Sequence, residues 1–163
     1  MKESEKQNQY KKGSPKVVTF TVPNALEKSK AKKINSNNKT SKLSKEQIID
    51  KAFNLHLEGN TKEAMQYYKY CIDNNFNDPS VFINYAIILK DLGNSEDAIK
   101  FIFKAIKLKP DFVEAYANIG TLYRETSNLI EAEKFTRKAI KLNPNLSSLY
   151  QNLGNILYDQ NKL

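Results

Sequence analysis

The chain has no tryptophan, one histidine, one cysteine, and only five glycines and five prolines in 163 residues. A lone cysteine cannot close an internal disulfide, so the fold does not rest on one, and a reducing compartment suits it. A single histidine excludes a zinc site built from clustered histidines, and no Ser-His-Asp set stands in the pattern. Glycine is too sparse for a phosphate-cradling loop, and Gly59 and Gly93 sit where helices end. No stretch approaches the roughly 20 apolar residues of a membrane helix. Met1 to Lys12 is polar and charged with no apolar run behind it, unlike a secretory signal. A non-enzymatic, cytoplasmic protein without metal or cofactor is the expectation.

Positive charge is plentiful, and its position decides its meaning. The formal net charge is +8. Residues 1–45 hold 12 Lys against 3 Glu, whereas residues 46–163 hold 14 Lys or Arg against 15 Asp or Glu. The surplus therefore belongs to the first 45 residues. A basic tail predicts solubility and weak, salt-sensitive attraction to acidic surfaces, not a phosphate-binding domain face, so nucleic acid is not the expected partner. Residues 1–43 lack helical periodicity, are broken by Gly13-Ser14-Pro15 and Pro23, and are expected to form a disordered tail. Within them Val17-Val18-Thr19-Phe20-Thr21-Val22 has high β-propensity but no partner strand of its own. The plainer reading is an apolar patch in a flexible tail; the sharper one is a strand for another sheet edge.

From Ser44 the pattern changes. Ser44 with Gln47 makes a capping box, and Ile48, Ile49, Ala52, Phe53 and Leu55 follow at helical spacing. Gly59-Asn60 ends that helix, Thr61 is placed to cap the next, and Ala64, Met65, Tyr67, Tyr68 and Ile72 form a second stripe. The unit then recurs. Gly59-Asn60, Gly93-Asn94 and Ser127-Asn128 lie 34 residues apart, as do Ala64, Ala98 and Ala132, and Cys71, Ala105 and Ala139. Ala86, Gly120 and Gly154 form another such set of small residues, and Pro110 and Pro144 close two units. Small residues let paired helices approach, large ones such as Phe82, Tyr85, Tyr116, Tyr123 and Tyr150 fill the gaps, and no pair can cover its own apolar face. Stacked hairpins over residues 44–163 follow, as units of about 45–78, 79–112, 113–146 and a partial 147–163.

The period, the small and aromatic positions and the closing prolines resemble the tetratricopeptide repeat family. The first unit departs most, with Lys51 in place of Tyr85 and Ile119, and Phe76 in place of Pro110 and Pro144. The Asn/Lys-rich style resembles bacterial repeat proteins, cyanobacterial ones among them. The resemblance implies an all-α, right-handed superhelical solenoid of about 3.5 repeats, whose inner wall, made by first helices, binds peptides. Asn84, Asn118 and Asn152 recur on that wall, similar to the asparagine ladder of O-linked N-acetylglucosamine transferases that holds extended peptide backbone. A side-chain amide donates and accepts, and so suits a peptide bond. The bland alternative is that these amides bond between repeats.

Ile83, Ile87, Lys90 and Asp91, then Ala117, Thr121, Arg124 and Glu125, then Gln151, Asn155 and Tyr158 complete the implied wall. Chaperone-binding members of the family clamp a C-terminal carboxylate. The leading Lys and Asn of that clamp would fall at Ile49 and Phe53, so the clamp is expected to be absent. A protein-binding scaffold is the leading reading. A substrate-recruiting arm, or truncated relative, of a glycosyltransferase or sulfotransferase is the alternative.

Of the remaining candidates, His56 near a helix end reads as solvated or capping, Cys71 as a buried inert thiol, and Lys100, Lys104, Lys107 and Lys109 as a solvated face. The tyrosines at 67, 68, 116, 123 and 150 read as core. The last helix, with Leu149, Ile156 and Leu157, reads as a lid with surplus apolar surface, open to self-association.

Overall fold

The computed structural model describes residues 43–161. The expected tail, apart from Leu43, and its 17–22 run lie outside them. Seven helices follow one another: α1 Lys45–Leu57, α2 Thr61–Asp73, α3 Pro79–Asp91, α4 Ser95–Leu108, α5 Val113–Glu125, α6 Leu129–Leu142 and α7 Ser147–Gln160. There is no strand among the described residues. Helices pair as α1/α2, α3/α4 and α5/α6, and each hairpin packs on the next through α2/α3, α4/α5 and α6/α7. The result is an all-α solenoid.

Local chemistry sets the helix ends. The Ser44 hydroxyl accepts from the Gln47 amide at 3.3 Å while the Gln47 side chain accepts from the Ser44 amide at 2.9 Å, closing the box that satisfies two orphan donors. Asp78 caps α3 by accepting from Ser80 and Val81, and Pro79 fills the first helical position. Thr61 does not cap α2: Asn60 occupies that place, and the Thr61 hydroxyl donates to the Gly59 carbonyl. Lys109 and Asn143 are extended after α4 and α6, as a following proline requires.

The hairpin turn is one device used three times. The amides of Asn60, Asn94 and Asn128 donate to the carbonyls of Leu55, Leu89 and Tyr123 at 2.8–2.9 Å. This closure needs a left-handed residue one position earlier. Gly59 and Gly93 supply it at φ 79° and 82°, and Ser127 is held there at φ 61°.

α3 lies between α2, α4 and α5 and is buried at every residue from Val81 to Leu89. Its apolar residues leave no polar stripe because both its broad faces are covered. Phe101 of α4 packs against Phe82 and Tyr85 of α3, and Phe135 of α6 does the same against Tyr116 and Tyr123 of α5.

The small-residue set behaves unevenly. A Cβ on Gly120 would collide with the Thr136 hydroxyl oxygen and meet α6 backbone at 3.2 Å, whereas one on Gly154 would meet nothing within 4 Å. Gly154 therefore does not serve close packing among the described residues. The same face of α7 leaves Tyr150 49% exposed, which corrects its assignment to the core. Leu149 and Ile156, read as surplus lid surface, instead point inward and are fully buried.

Gly120→Ala should lower stability by about 1–3 kcal/mol through overpacking, while Gly154→Ala should raise it by up to about 1 kcal/mol through helix propensity. Urea unfolding of the two variants checks the contrast, and equal effects would refute the packing assignment. Ser127→Gly should add roughly 0.5–1 kcal/mol by relieving the left-handed residue, read as a higher urea midpoint at unchanged slope.

Candidate functional site

The first helices form the inner wall. α3 touches α5 and α5 touches α7, so residues at equal positions in successive hairpins stand side by side. At two positions the wall begins apolar, with Ile49, Phe53, Ile83 and Ile87 all buried, and the same positions turn polar at Thr121, Gln151 and Asn155, while Asn84 already stands among the buried residues of α3.

The polar residues face one another across repeats. Asn84, Asn118 and Asn152 are 1%, 5% and 5% exposed. The Asn84 side-chain amide donates to the Ser80 carbonyl of its own helix at 2.9 Å. That of Asn152 reaches the Thr121 hydroxyl, one hairpin earlier, at 3.3 Å. Thr121 is itself buried. The half-buried Asn155 keeps one amide nitrogen covered without a hydrogen-bond partner among the described residues.

Beside this row runs a second one that inspection of single repeats does not reveal. Lys90 pairs with Asp91 at 2.9 Å and reaches Glu125 at 3.8 Å. Arg124 pairs with Asp159 at 2.7 Å. In each inter-repeat pair the cation stands one position before the place its anion holds in the next hairpin, so partners are 35 residues apart. His56 and Asp91 continue the series: burial lowers the histidine's proton affinity, and the Asp91 carboxylate acts in the opposite sense. Lys90, Asp91, Arg124 and Glu125 read from the sequence as a mixed-charge wall, whereas nothing within a single repeat marks Asp159. The signal is a histidine at 56, a lysine at 90 and an arginine at 124, each followed 35 residues on by an acid, at 91, 125 and 159.

His56 is not solvated. It is half-buried in the first hairpin, with Nδ1 3.3 Å from the Tyr68 hydroxyl and the rings edge to face. Cys71 is fully buried, and burial pushes its thiol up to about 11, which leaves it protonated and inert. Several lysines lie over aromatic rings, Lys104 on Phe101, Lys109 on Phe112 and Lys138 on Tyr116, a placement that covers ring faces. Among the described residues no group of three or more His, Cys, Asp or Glu could hold a metal. No helix among them is long and apolar enough to cross a membrane.

The tetratricopeptide repeat family model matches residues 79–112 and 113–146, so the second and third hairpins are tetratricopeptide repeats. No curated protein matches the sequence. Solved structures do. The first TPR of Spaghetti (RPAP3) bound to the HSP90 peptide SRMEEVD is 22% identical, with a TM-score of 0.65, and the match covers 69% of this chain and 90% of that one. The second TPR domain of human RPAP3 in complex with the HSP70 peptide SGPTIEEVD is 23% identical, with a TM-score of 0.62, over 67% and 91%. The Yersinia enterocolitica type III secretion chaperone SycD, in complex with a peptide of the translocator YopD, is 17% identical, with a TM-score of 0.65, over 71% and 93%. At these identities the likeness establishes the fold. It lends no support to a transferase arm.

Half-burial of His56 makes stability depend on pH. The histidine's folded-state pKa is lowered from 6.5, with burial the main cause and Asp91 opposing. The folded chain thus binds that proton less readily than the unfolded chain. Stability should be fully present above about pH 6.5 and fall as the pH drops below it. Urea midpoints from about pH 8 to pH 5 should show this decline, and His56→Gln should flatten it. A decline equally steep in the variant would assign it to other groups.

Proposed function

We propose that the chain is a non-catalytic protein-interaction scaffold that takes an extended partner segment along its inner wall. The site comprises Asn84, Asn118 and Asn152 with Ile87, Lys90, Thr121, Arg124 and Asn155. The observation that carries this reading is the continuous wall of α3, α5 and α7, apolar at one end and lined with amides and charge at the other. Peptides named with RPAP3 and SycD show that structures of this fold take up short segments of other chains.

The asparagines are nearly covered, so a segment meets the half-buried Lys90, Arg124 and Asn155 and the exposed Gln151 and Tyr158 first. Engaging Asn84 or Asn152 then exchanges one hydrogen bond for another, which gives selectivity with little net affinity. Ile49 and Phe53 make the entry of the wall apolar, which favours a mixed segment over a free C-terminal carboxylate.

A peptide selected on the full chain from a random display library provides the test. Asn155→Arg, which places a bulky charge on the wall, should weaken that peptide at least about tenfold, or about 1.4 kcal/mol, with helical circular dichroism unchanged. Asn118→Ala should weaken it less. A peptide indifferent to both variants would sink the inner-wall reading.

A further inference from the structure

A hollow of about 380 Å³ opens at the junction of the first and second hairpins, on the side of the second helices and away from the inner wall. Its floor is apolar: Ile72 from α2, Phe82 from α3 and Leu108 from the end of α4. Leu108 is 44% exposed, a large side chain left open to solvent. The rim is cationic and amide-bearing, with Lys104 and Lys107 on one side and Asn75 and Asn77 on the other. Lys104 lies over the Phe101 ring, and neither lysine is in an ion pair within the described residues.

The first unit breaks the repeat at this hollow. Between α2 and α3 stand Asn75, in the left-handed region at φ 56°, and Phe76 where later units carry proline. The corresponding junction one repeat on has Lys109, Asp111 and Tyr116 at the matching places. There the Tyr116 hydroxyl donates to the Pro110 carbonyl at 3.1 Å and Lys138 lies over its ring.

We propose that the hollow is a second docking site, for an acidic peptide segment carrying one bulky apolar side chain. The apolar side chain covers Phe82 and Leu108, flanking carboxylates meet Lys104 and Lys107, and the Asn75 and Asn77 amides serve the peptide backbone. Lys104 and Lys107, the charged residues of the lining, select the sign of the occupant, and the apolar floor selects a peptide over a nucleic-acid strand.

The isotope-labelled full chain is titrated with a synthetic peptide in which Leu and Phe alternate with Asp and Glu, followed by amide chemical shifts. Shifts should concentrate at Asn75, Asn77 and Leu108. Lys104→Glu with Lys107→Glu should weaken binding at least about tenfold, and Leu108→Ser several-fold. The same charge change one repeat on, Lys138→Glu with Lys141→Glu, should stay within about twofold, which separates the site from general attraction to the basic first 45 residues. Equal losses in the two double variants, or shifts confined to the inner wall, overturn the proposal. So does tighter binding at this hollow by a single-stranded oligonucleotide at the same salt.

Discussion

Everything in this molecule depends on how much of each hairpin is covered by its neighbour. Two helices meeting along one seam leave the outer halves of both helices bare, and only a further hairpin removes that surface from water. α3 shows the finished state, buried along nine consecutive residues because helices lie on both sides of it. α7 shows the unfinished state. Its Leu149 and Ile156 sink into the preceding hairpin, while Tyr150 on the other face stays open. The same sequence positions are core in one helix and surface in the next, so burial here belongs to the array.

That dependence explains which parts were legible in the sequence. Positions whose role is local could be read one by one. Ser44 and Gln47 cap whatever follows them, Pro110 and Pro144 stop a helix wherever they stand, and the left-handed turn residue is required at 59, 93 and 127 alike. Positions whose role is relational could not. Gly120 and Gly154 look identical by period, yet one is pressed against Thr136 and the other touches nothing. Tyr150 reads as core by analogy with Tyr116, but no α6-like helix lies on it among the described residues. His56 looked like a helix-end residue for water, and Tyr68 twelve residues away draws it inside.

The charged rungs illustrate the same limit. A period of 34 aligns like with like and therefore hides interactions between unlike positions. Lys90 with Glu125 and Arg124 with Asp159 lie one step off the period, because a side chain at the end of one helix reaches along the stack to a neighbouring position. Each pair is half-buried and contributes modestly by itself. Repeated along the wall they fix the register of adjacent hairpins more than their strength.

This saturation also bears on recognition. Polar groups already bonded inside the array, such as Asn84 to Ser80 or Arg124 to Asp159, must surrender a partner to accept a new one, and the exchange leaves little free energy over. Groups with no internal partner carry no such penalty. On the inner wall the Asn155 amide nitrogen, covered as it is, has no bond to surrender, and at the first junction Lys107 makes no ion pair and lies over no ring among the described residues. The repeat satisfies itself where it is regular, so its irregularities, at the first turn and on the last helix, are where binding another chain costs the fold least.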